Sequence, residues 1–443
     1  MKVWAKSAIF LVIAGSVAVG CQWGHPAPKP LALEKPPAPM RYIPARQGLP
    51  TTKIWKSQIA FGDINGDGFP DVGAVSRLAD GPWIWKGNGK GQWTDASRGL
   101  PRETFCGGGM AFGDANNDGK MDVAIADHCR GVFVYFGDGK GHWKNASAGL
   151  PTVGSEDVDV GDFNHDGCLD LALVASSEAG VRAFKGNCKG VWRESSKGLA
   201  QKEWGNAVVV ADVDADGNLD IVAAYSAGPR VWLGDGKGSW KAASEGMPAP
   251  DIHGLYWGID VGDVNGDGKL DVASGAAVPG AEVFIQEPGP KWRKTSKGII
   301  PMNALGVALG DLNNDGHVDL VVAGKSNLEE IGGVYGVFPF LGDGAGNWTL
   351  VDNTGLPTTG RERTWGANLA DIDGDGVLDI GVAFGDVLSP SWRSGPTRRS
   401  ILQQQGKKKG EHDKTVAKPK KRRPPVRGMF GAIEIWRGEL TGK

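Results

Sequence analysis

One acidic nonapeptide, D-x-[DN]-x-D-G-x-x-D, occurs seven times in this chain of 443 residues. The copies start 51, 48, 50, 51, 48 and 60 residues apart. A motif that returns at a nearly fixed period identifies a repeat protein, in which one supersecondary unit is copied and stacked. The seven copies begin at Asp63, Asp114, Asp162, Asp212, Asp263, Asp311 and Asp371.

The motif places side-chain oxygens at positions 1, 3 and 5, so that three ligands face one concavity. Position 6 is always Gly, which accepts positive φ, and the side chain at position 7 varies, which fits a backbone carbonyl ligand there. The Asp at position 9 can add one or both oxygens. Such oxygen-only, flexible sites suit Ca²⁺ better than Mg²⁺. The predicted ligands of up to seven structural calcium ions are Asp63, Asn65, Asp67, Asp71, Asp114, Asn116, Asp118, Asp122, Asp162, Asn164, Asp166, Asp170, Asp212, Asp214, Asp216, Asp220, Asp263, Asn265, Asp267, Asp271, Asp311, Asn313, Asp315, Asp319, Asp371, Asp373, Asp375 and Asp379.

Two other interpretations of the motif are a polar turn without metal and an EF-hand. Polar turns use the same residue types, but carboxylates crowded without a cation repel one another. An EF-hand loop runs twelve residues to a Glu and is flanked by helices. Here position 9 is followed by β-biased runs such as Asp122-Val-Ala-Ile-Ala126, and the chain contains 70 Gly. These features favour strand–loop–strand.

Each repeat contains signals for four strands. An apolar strand leads into the acidic loop, and a second apolar strand follows it. A third strand such as Val132–Phe136 ends at a Gly-rich turn such as Gly137–Gly141, and a Trp such as Trp143 begins the fourth. Four short strands per repeat of about fifty residues are typical of a β-propeller blade.

The sequence resembles the FG-GAP/VCBS repeat family, the propeller of integrin α-chains and of many bacterial surface proteins. The resemblance is carried by Phe61-Gly-Asp63, Phe112-Gly-Asp114, the acidic loops and the Gly-Asp-Gly-Lys-Gly-x-Trp turns, and it covers about residues 42–440. It implies a calcium-binding propeller and, by analogy with integrins, a ligand on the rim opposite the acidic loops. These motifs are specific for a fold and far less so for a function.

The ends of the chain predict how the ring closes. Six repeats end in a tail led by Trp, and the seventh lacks one, but Tyr42–Pro50 aligns without gaps to the tail Trp93–Pro101. We therefore expect the N-terminal strand to complete the last blade and to leave no exposed edge. The predicted fold is all-β, a seven-bladed propeller over residues 42–443.

The first residues predict export. Residues 1–21 read as a signal sequence with the apolar run Ser7–Gly20, too short to be identified as a membrane span. Ala18-Val-Gly-Cys21 resembles a bacterial lipobox, so Cys21 is the predicted lipidation site; a plain cleaved signal or a chance Cys is the alternative. Residues 22–41 form a Pro-rich tether. The expected location is the outer membrane or cell surface, with the periplasmic side possible, and the expected state is a monomer.

Four further cysteines fall in pairs within repeats. Cys106 and Cys129 lie on connections at one rim, and Cys168 and Cys188 lie at the opposite rim. We predict the disulfides Cys106–Cys129 and Cys168–Cys188, which fit an oxidising compartment. A Cys₄ zinc site is the alternative, but the pairs lie on opposite rims and no C-x₂-C occurs.

A basic insertion, residues 386–427, interrupts the last repeat. Residues 392–427 contain thirteen Lys or Arg and two Asp or Glu, while the whole chain has a net charge of −2. The rest of the chain is therefore acidic, and seven Ca²⁺ would roughly neutralise it. The composition predicts disorder and a possible anionic partner; a solvated loop without a dedicated ligand is the alternative.

The rim opposite the acidic loops carries the variable connections, where recognition usually resides. Aromatic residues just before the inner strands are candidate contacts for a protein or glycan partner, or else they pack between blades. These residues are Trp55, Phe105, Trp204, Tyr256, Trp257 and Trp365.

Sequence signals for catalysis are weak: no G-x-S-x-G or H-E-x-x-H motif occurs. His128 beside Asp127, and Arg361–Arg363 near Trp365, are the candidates for an acid–base cluster. We therefore predict a binding, adhesion or scaffold protein and no enzyme. A polysaccharide lyase or hydrolase is the alternative, and a lectin with one sugar site per blade ranks last, because the rim connections differ between repeats.

Overall fold

The computed structural model of the chain describes most of residues 40–440. The described segments are 40–56, 58–175, 180–199, 204–248, 255–289, 291–326, 335–358, 363–387 and 429–440. The predicted signal, Cys21, nearly all of the tether, and most of the basic insertion lie outside them. Among the described residues, no helix has the length and apolar character needed to cross a membrane.

Seven small antiparallel sheets form a seven-bladed β-propeller, which confirms the predicted fold. Each blade has four strands, lettered A to D from the axis outwards. In blade 1, the short strands Ile54–Trp55 and Thr104–Cys106 also pair with the end of strand B. The strands of blades 1 to 3 are Ala60–Gly62, Asp71–Asp80, Pro82–Gly87 and Trp93–Asp95; Met110–Gly113, Asp122–Asp127, Gly131–Gly137 and Trp143–Asn145; and Ser155–Gly161, Asp170–Ala175, Val181–Lys185 and Arg193–Glu194.

Blades 4 to 7 repeat the arrangement. In blade 7, the hairpin of Asp386–Val387 with Met429–Phe430 flanks the basic insertion. The strands of these blades are Gly205–Ala211, Asp220–Tyr225, Gly228–Gly234 and Trp240–Ala242; Tyr256–Gly262, Asp271–Ala276, Ala281–Glu287 and Lys291–Lys294; Met302–Gly310, Asp319–Ser326, Tyr335–Gly342 and Trp348–Leu350; and Thr364–Ala370, Asp379–Phe384, Ile433–Leu440 and Met40–Pro44.

The two ends of the chain close the ring. Met40–Pro44 pairs antiparallel with Ile433–Leu440, with Tyr42 opposite Gly438. The N-terminal strand thus supplies strand D of blade 7, as the alignment of Tyr42 with Trp93 predicts. Blade 7 therefore has the same four strands as the other blades, and Met40–Pro44 covers the edge of strand C.

The Trp that begins strand D joins each blade to the one before it. The indole nitrogen of Trp143, for example, donates to the carbonyl of Ala96 in blade 1 at 2.7 Å. A Gly approaches the carbonyl of the same Trp so closely that a Cβ on Gly99 would lie 2.2 Å from the Trp143 oxygen. Tyr42 occupies the equivalent place in blade 7, since its backbone nitrogen donates to Thr354 and a Cβ on Gly355 would meet its carbonyl at 2.5 Å.

The inner strands pack tightly around the axis. A Cβ added to Gly258 would lie 2.9 Å from the Cα of Gly306, and one added to Gly306 would lie 2.6 Å from the Cα of Gly366. Carboxylates bridge neighbouring inner strands: Asp159 accepts from the backbone of Val210 at 2.8 Å. These contacts join neighbouring blades near the axis.

Both predicted disulfides are present. Cys106 bonds to Cys129 and Cys168 bonds to Cys188, with Cα–Cα distances of 5.7 and 5.1 Å. The Cys168–Cys188 bridge lies within blade 3. Cys106 lies on the short strand that pairs with the end of strand B of blade 1, so its bridge to Cys129 joins that strand to the connection between strands B and C of blade 2.

Candidate functional site

The seven acidic loops share one hydrogen-bond pattern. The carboxylate at position 1 accepts from the backbone N–H groups of positions 5 and 6; for Asp212 these bonds measure 3.1 Å to Asp216 and 2.9 Å to Gly217. The Asp at position 5 accepts in turn from the N–H of position 7, at 2.8 Å between Asp216 and Asn218. Side-chain oxygens thus fold the loop in the way that Asx turns do, and they face inwards before any ligand is considered.

Left-handed backbone at positions 4 and 6 makes the loop this tight. Gly217 at position 6 has φ of 90°, and position 4 has φ of 60° at Ala215 and 58° at His165. Gly adopts this conformation freely, whereas a residue with a Cβ is strained. The fourth position therefore stores strain in some copies and none in those where it is Gly.

The Asp at position 9 is buried and latches the loop to its blade. One oxygen of Asp71 accepts from Ile64 in the loop at 2.8 Å, and the other accepts from Gly87 at the end of strand C at 2.7 Å. Burial, helped by the charges at position 1 and at position 5 or 3, raises the pKa of this carboxyl to about 7 or about 8. The equivalent residues are Asp71, Asp122, Asp170, Asp220, Asp271, Asp319 and Asp379.

The donor set of these loops fits a hard divalent cation. In blade 4, ligand oxygens of Asp212, Asp214 and Asp220 lie within 4.8 Å of one another, and Asp371, Asp373 and Asp379 do the same in blade 7. Carboxylates gathered in this way are what Ca²⁺ requires, and a cation would offset the burial and repulsion that raise the pKa values. The residues at positions 1, 3, 5 and 9 would hold it.

Near the opposite rim, five blades share a bulge position at which the residue type varies. In five blades, strand A carries a register shift six residues before the first Asp of the acidic loop. A bulge of this kind re-aims the side chain of its extra residue. The residues at this position in blades 3 to 7 are Glu156, Asn206, Trp257, Leu305 and Trp365.

Three ionisable side chains from three blades meet at this rim. Lys56 of blade 1 lies with Nζ 2.9 Å from Oε2 of Glu156 in blade 3, and Nδ1 of His128 in blade 2 is hydrogen-bonded to Oε1 of the same carboxylate. Lys56 and Glu156 are buried, at 9% and 4% exposure. Blade 2 lies between blades 1 and 3, so the contacts converge at the axis.

Burial and the neighbouring opposite charge have opposite effects on the pKa values of Glu156 and Lys56. Burial would raise the pKa of Glu156, but the hydrogen bonds and charges of His128 and Lys56 outweigh it, so the pKa lies below its ordinary value. Burial lowers the pKa of Lys56 despite Glu156, and the charges of Arg77 and Arg363 lower it further. Glu156 is therefore a carboxylate at neutral pH.

Three tryptophans surround these charges. Trp257 and Trp365 of blades 5 and 7 meet edge to face at 6.1 Å, and Arg363 lies 4.4 Å from the Trp365 ring, with Lys56 at 5.8 Å. Trp204 of blade 4 lies 5.8 Å from the His128 ring. We name this group the axial cluster; it consists of Lys56, His128, Glu156, Trp204, Trp257, Arg363 and Trp365.

The central channel of the propeller is narrow beside the axial cluster. Nε2 of Gln58 in blade 1 donates to the carbonyl of Ile259 in blade 5 at 3.4 Å. Blades 6 and 7 separate these two strands in the ring, so this hydrogen bond crosses the axis. A ligand that approaches from the variable rim therefore meets side chains of opposite blades together.

The structure separates the predicted aromatic contacts into two sets. Trp204, Trp257 and Trp365 belong to the axial cluster. Trp55, Phe105 and Tyr256, each 1% exposed, pack inside or between blades, the alternative weighed for them. At 1% exposure these three side chains have almost no surface to offer a partner in this structure, which corrects their assignment as partner contacts, whereas Trp365 retains 8% and Trp204 44%.

The residues predicted for an acid–base cluster lie in different parts of the structure. His128 and Arg363 join the cluster, while Arg361 and Glu362 lie outside the described residues. Asp127 is buried and accepts from the backbone of Cys106 and Cys129 at 2.9 and 3.1 Å. Lys56 and Glu156 were missed, and the signal that could have found Glu156 is its place six residues before Asp162.

The sequence model of the FG-GAP-like repeat family matches residues 63–125, 114–173, 212–274 and 311–382. These segments span more than half of the chain. The chain belongs to the FG-GAP-like repeat family. Four matched segments and seven acidic loops in seven blades describe the same FG-GAP propeller.

Solved structures with a similar backbone include three proteins of low identity. A lectin of Agrocybe aegerita that recognises non-reducing terminal N-acetylglucosamine has 18% identity and a TM-score of 0.44, over 74% of this chain and 90% of the lectin. BBS1N, solved in complex with ARL6DN, has 12% identity and a TM-score of 0.49, over 77% of this chain and 94% of BBS1N. A protein from Lactobacillus plantarum has 11% identity and a TM-score of 0.48, over 74% of this chain and 88% of that protein. No functionally curated protein matches the sequence.

Proposed function

We propose that this FG-GAP propeller is an exported, calcium-stabilised binding protein that holds a protein or glycan partner at its axial cluster. The observation that carries the proposal is the contrast between the two rims. One rim repeats a single loop seven times, as a structural staple does. The other brings together side chains from six blades, among them Glu156, Trp257 and Trp365, around one axis.

The composition of the axial cluster supports recognition. Aromatic side chains with a few charged groups are typical of ligand and partner sites on rigid scaffolds. Trp204 is 44% exposed, and its indole nitrogen donates to Oδ1 of Asn206 at 3.0 Å. An exposed ring held in one orientation loses little conformational entropy when it contacts a partner.

The same cluster supports a second candidate, a polysaccharide lyase or hydrolase. A carboxylate that orients an imidazole is the arrangement of a general acid–base pair, and His128 and Glu156 have it. Under this alternative, His128→Ala and Arg363→Ala each abolish turnover of an acidic polysaccharide. Unchanged turnover by both variants would exclude it.

A lectin with one site per blade has less support. Such a protein needs the same polar and aromatic set in every blade. The bulge position instead carries Glu156, Asn206, Trp257, Leu305 and Trp365 in blades 3 to 7. One asymmetric site at the axis agrees better with these residues.

A binding screen tests the proposal. The purified full chain, with Ca²⁺ present, is applied to immobilised neutral glycans, acidic glycans and other polyanions, beside a chain that lacks residues 392–427. We expect binding that survives this deletion and is lost in Trp257→Ala, while the control Trp83→Ala, on blade 1, binds normally. Binding that disappears with the deletion, or that Trp257→Ala leaves intact, would place recognition elsewhere.

Export and lipidation have their own test. In a bacterial host, the wild-type chain should incorporate a labelled fatty acid and fractionate with membranes. Cys21→Ala should lose the label and the membrane association. A labelled Cys21→Ala protein would exclude Cys21 as the anchor, and an unlabelled wild type would favour a plain signal peptide.

A further inference from the structure

We infer that the axial cluster takes a uronate residue of an acidic glycan. This inference rests on the proposed function and names the ligand class of the same site. The carboxylate of the sugar would lie towards Arg363 and Arg77, its hydroxyls towards Glu156 and His128, and its ring against Trp204.

The cationic side chains at the site, other than His128, come from blades 1 and 7. Lys56 and Arg77 of blade 1 flank Gly107, where an added Cβ would lie 3.2 and 3.4 Å from their Cβ atoms. Arg363 of blade 7, the neighbouring blade, lies over Trp365 together with Lys56. Arg is the side chain best matched to a carboxylate, because its planar fork offers two parallel N–H donors. An anionic group therefore belongs on the side of blades 1 and 7.

Hydrogen-bonding groups suited to hydroxyls lie on the other side. Glu156 of blade 3 is held by Lys56 and His128, and a carboxylate oxygen has lone pairs for more than one donor. The neighbouring carboxylates are committed to the backbone, since Asp157 accepts from Val208 at 3.0 Å and Asp127 from Cys106. A ligand that donates hydroxyl hydrogens is favoured here, whereas a second anionic group would be repelled.

An aromatic platform lies beside His128, on the side of the hydroxyl-binding groups. The Trp204 ring contacts His128 and is fixed by Asn206, and nearly half of it is exposed. Its open apolar face can cover the C–H face of a pyranose ring. A protein carboxylate would use the Arg side alone and leave both the hydroxyl acceptors and this platform without a role. A sugar acid has all three features in one residue.

The test compares each acid with its own ester. Binding of galacturonate, glucuronate and guluronate oligomers to the full chain is measured by titration calorimetry, beside the methyl esters of the same oligomers. We expect at least one acid to bind about tenfold or more tightly than its ester, as loss of a charged hydrogen bond implies. Equal affinity of acid and ester, or no binding by any acid, would overturn the inference.

Variants locate the contacts. Arg363→Gln should weaken the acid about tenfold and leave the ester unchanged, and Trp204→Ala should weaken both. Arg193→Gln and Trp83→Ala are matched controls away from the cluster and should change neither. Full binding by Arg363→Gln, in a variant of unchanged melting temperature, would overturn the inference.

The result separates this inference from the proposed function. If no uronate binds but Trp257→Ala still removes binding of another glycan or of an acidic peptide, the site is real and its ligand class is wrong. If axial variants affect no ligand at all, both proposals fail.

Discussion

Lys56 of blade 1 and Glu156 of blade 3 form a buried ion pair at the propeller axis, with Nζ 2.9 Å from Oε2. Blade 2 separates their strands in the ring, and it contributes His128 to the same carboxylate. The ion pair therefore links blades 1 and 3 at the variable rim, next to the central axis.

Glu156→Gln should destabilise the chain by about 3 kcal/mol at pH 7, because it leaves Lys56 buried without its countercharge. The pKa of Glu156 is depressed, so its stabilisation is present above the ordinary value of 4.5 and is lost as the pH falls through the folded value. Urea unfolding at pH 7 and at acidic pH should show the gap between wild type and variant narrow in acid. A constant gap would contradict this account. Glu245→Gln, at an exposed pair, is the control.

Chelation should lower the melting temperature by several degrees, because a cation bound only by the folded state stabilises it. Added Ca²⁺ should restore the original value. Asp212→Asn should reduce the bound calcium by one ion per chain, while Asp235→Asn should not, although Asp235 also caps backbone N–H groups in a turn. An unchanged melt in protein whose metal content is verified as zero would exclude a structural cation.

Ala215→Gly should stabilise the chain by about 1 kcal/mol, because position 4 of the loop has φ of 60° and a Cβ strains this conformation. Ala211→Gly, in strand A just before the loop, should destabilise it instead. Chemical denaturation of the two variants measures both signs. Destabilisation by both would show that the strain at Ala215 is relieved in some other way.

Gly198→Ala should destabilise more than Gly66→Ala. Both residues have positive φ, so both variants carry a strain of about 1–2 kcal/mol. At Gly198 the new Cβ would also lie 1.9 Å from the Trp240 carbonyl, whereas at Gly66 nothing lies within 4 Å. The extra steric conflict should add about 1–3 kcal/mol. Equal unfolding free energies would mean that the approach of neighbouring blades is less strict than described.

Tyr42→Phe should raise the free energy of unfolding by about 1 kcal/mol, because the Tyr42 hydroxyl is buried without a hydrogen-bond partner among the described residues. The ring itself should stay in the blade 7 core. Tyr135→Phe is a control, since that hydroxyl interacts with Asn145. A loss of stability in Tyr42→Phe would indicate a partner for the hydroxyl.

The sequence predicted the features that recur at equivalent positions of the repeats. Seven intact loops identified seven units, and the tail Tyr42–Pro50 identified the closing strand, because both signals recur at equivalent positions. The two disulfides followed once each Cys was placed on a rim. The double latch made by Asp71 was not foreseen, since the motif identifies a carboxylate without showing that Gly87 of strand C donates to it.

The axial cluster could be predicted only in part, for a geometric reason. Tyr256 lies in the core, whereas its neighbour Trp257 contacts Trp365 at the axis, and the register shift of strand A falls between Tyr256 and Gly258. A shift of one residue exchanges the two faces of a strand, and composition does not reveal the shift. The residue type at the position of Glu156 varies among blades 3 to 7, so the repeat marks the place without indicating a carboxylate there.

The direction of one strand determines which face of the propeller carries its N-terminal attachment. Strand D of blade 7 starts at Met40 beside Leu440, at the rim of the acidic loops, and ends at Pro44 towards the opposite rim. Whatever is joined to the chain before Met40 therefore reaches the disc at its circumference, on the face of those loops. If that attachment is a membrane anchor, the axial cluster lies on the face opposite the point of attachment.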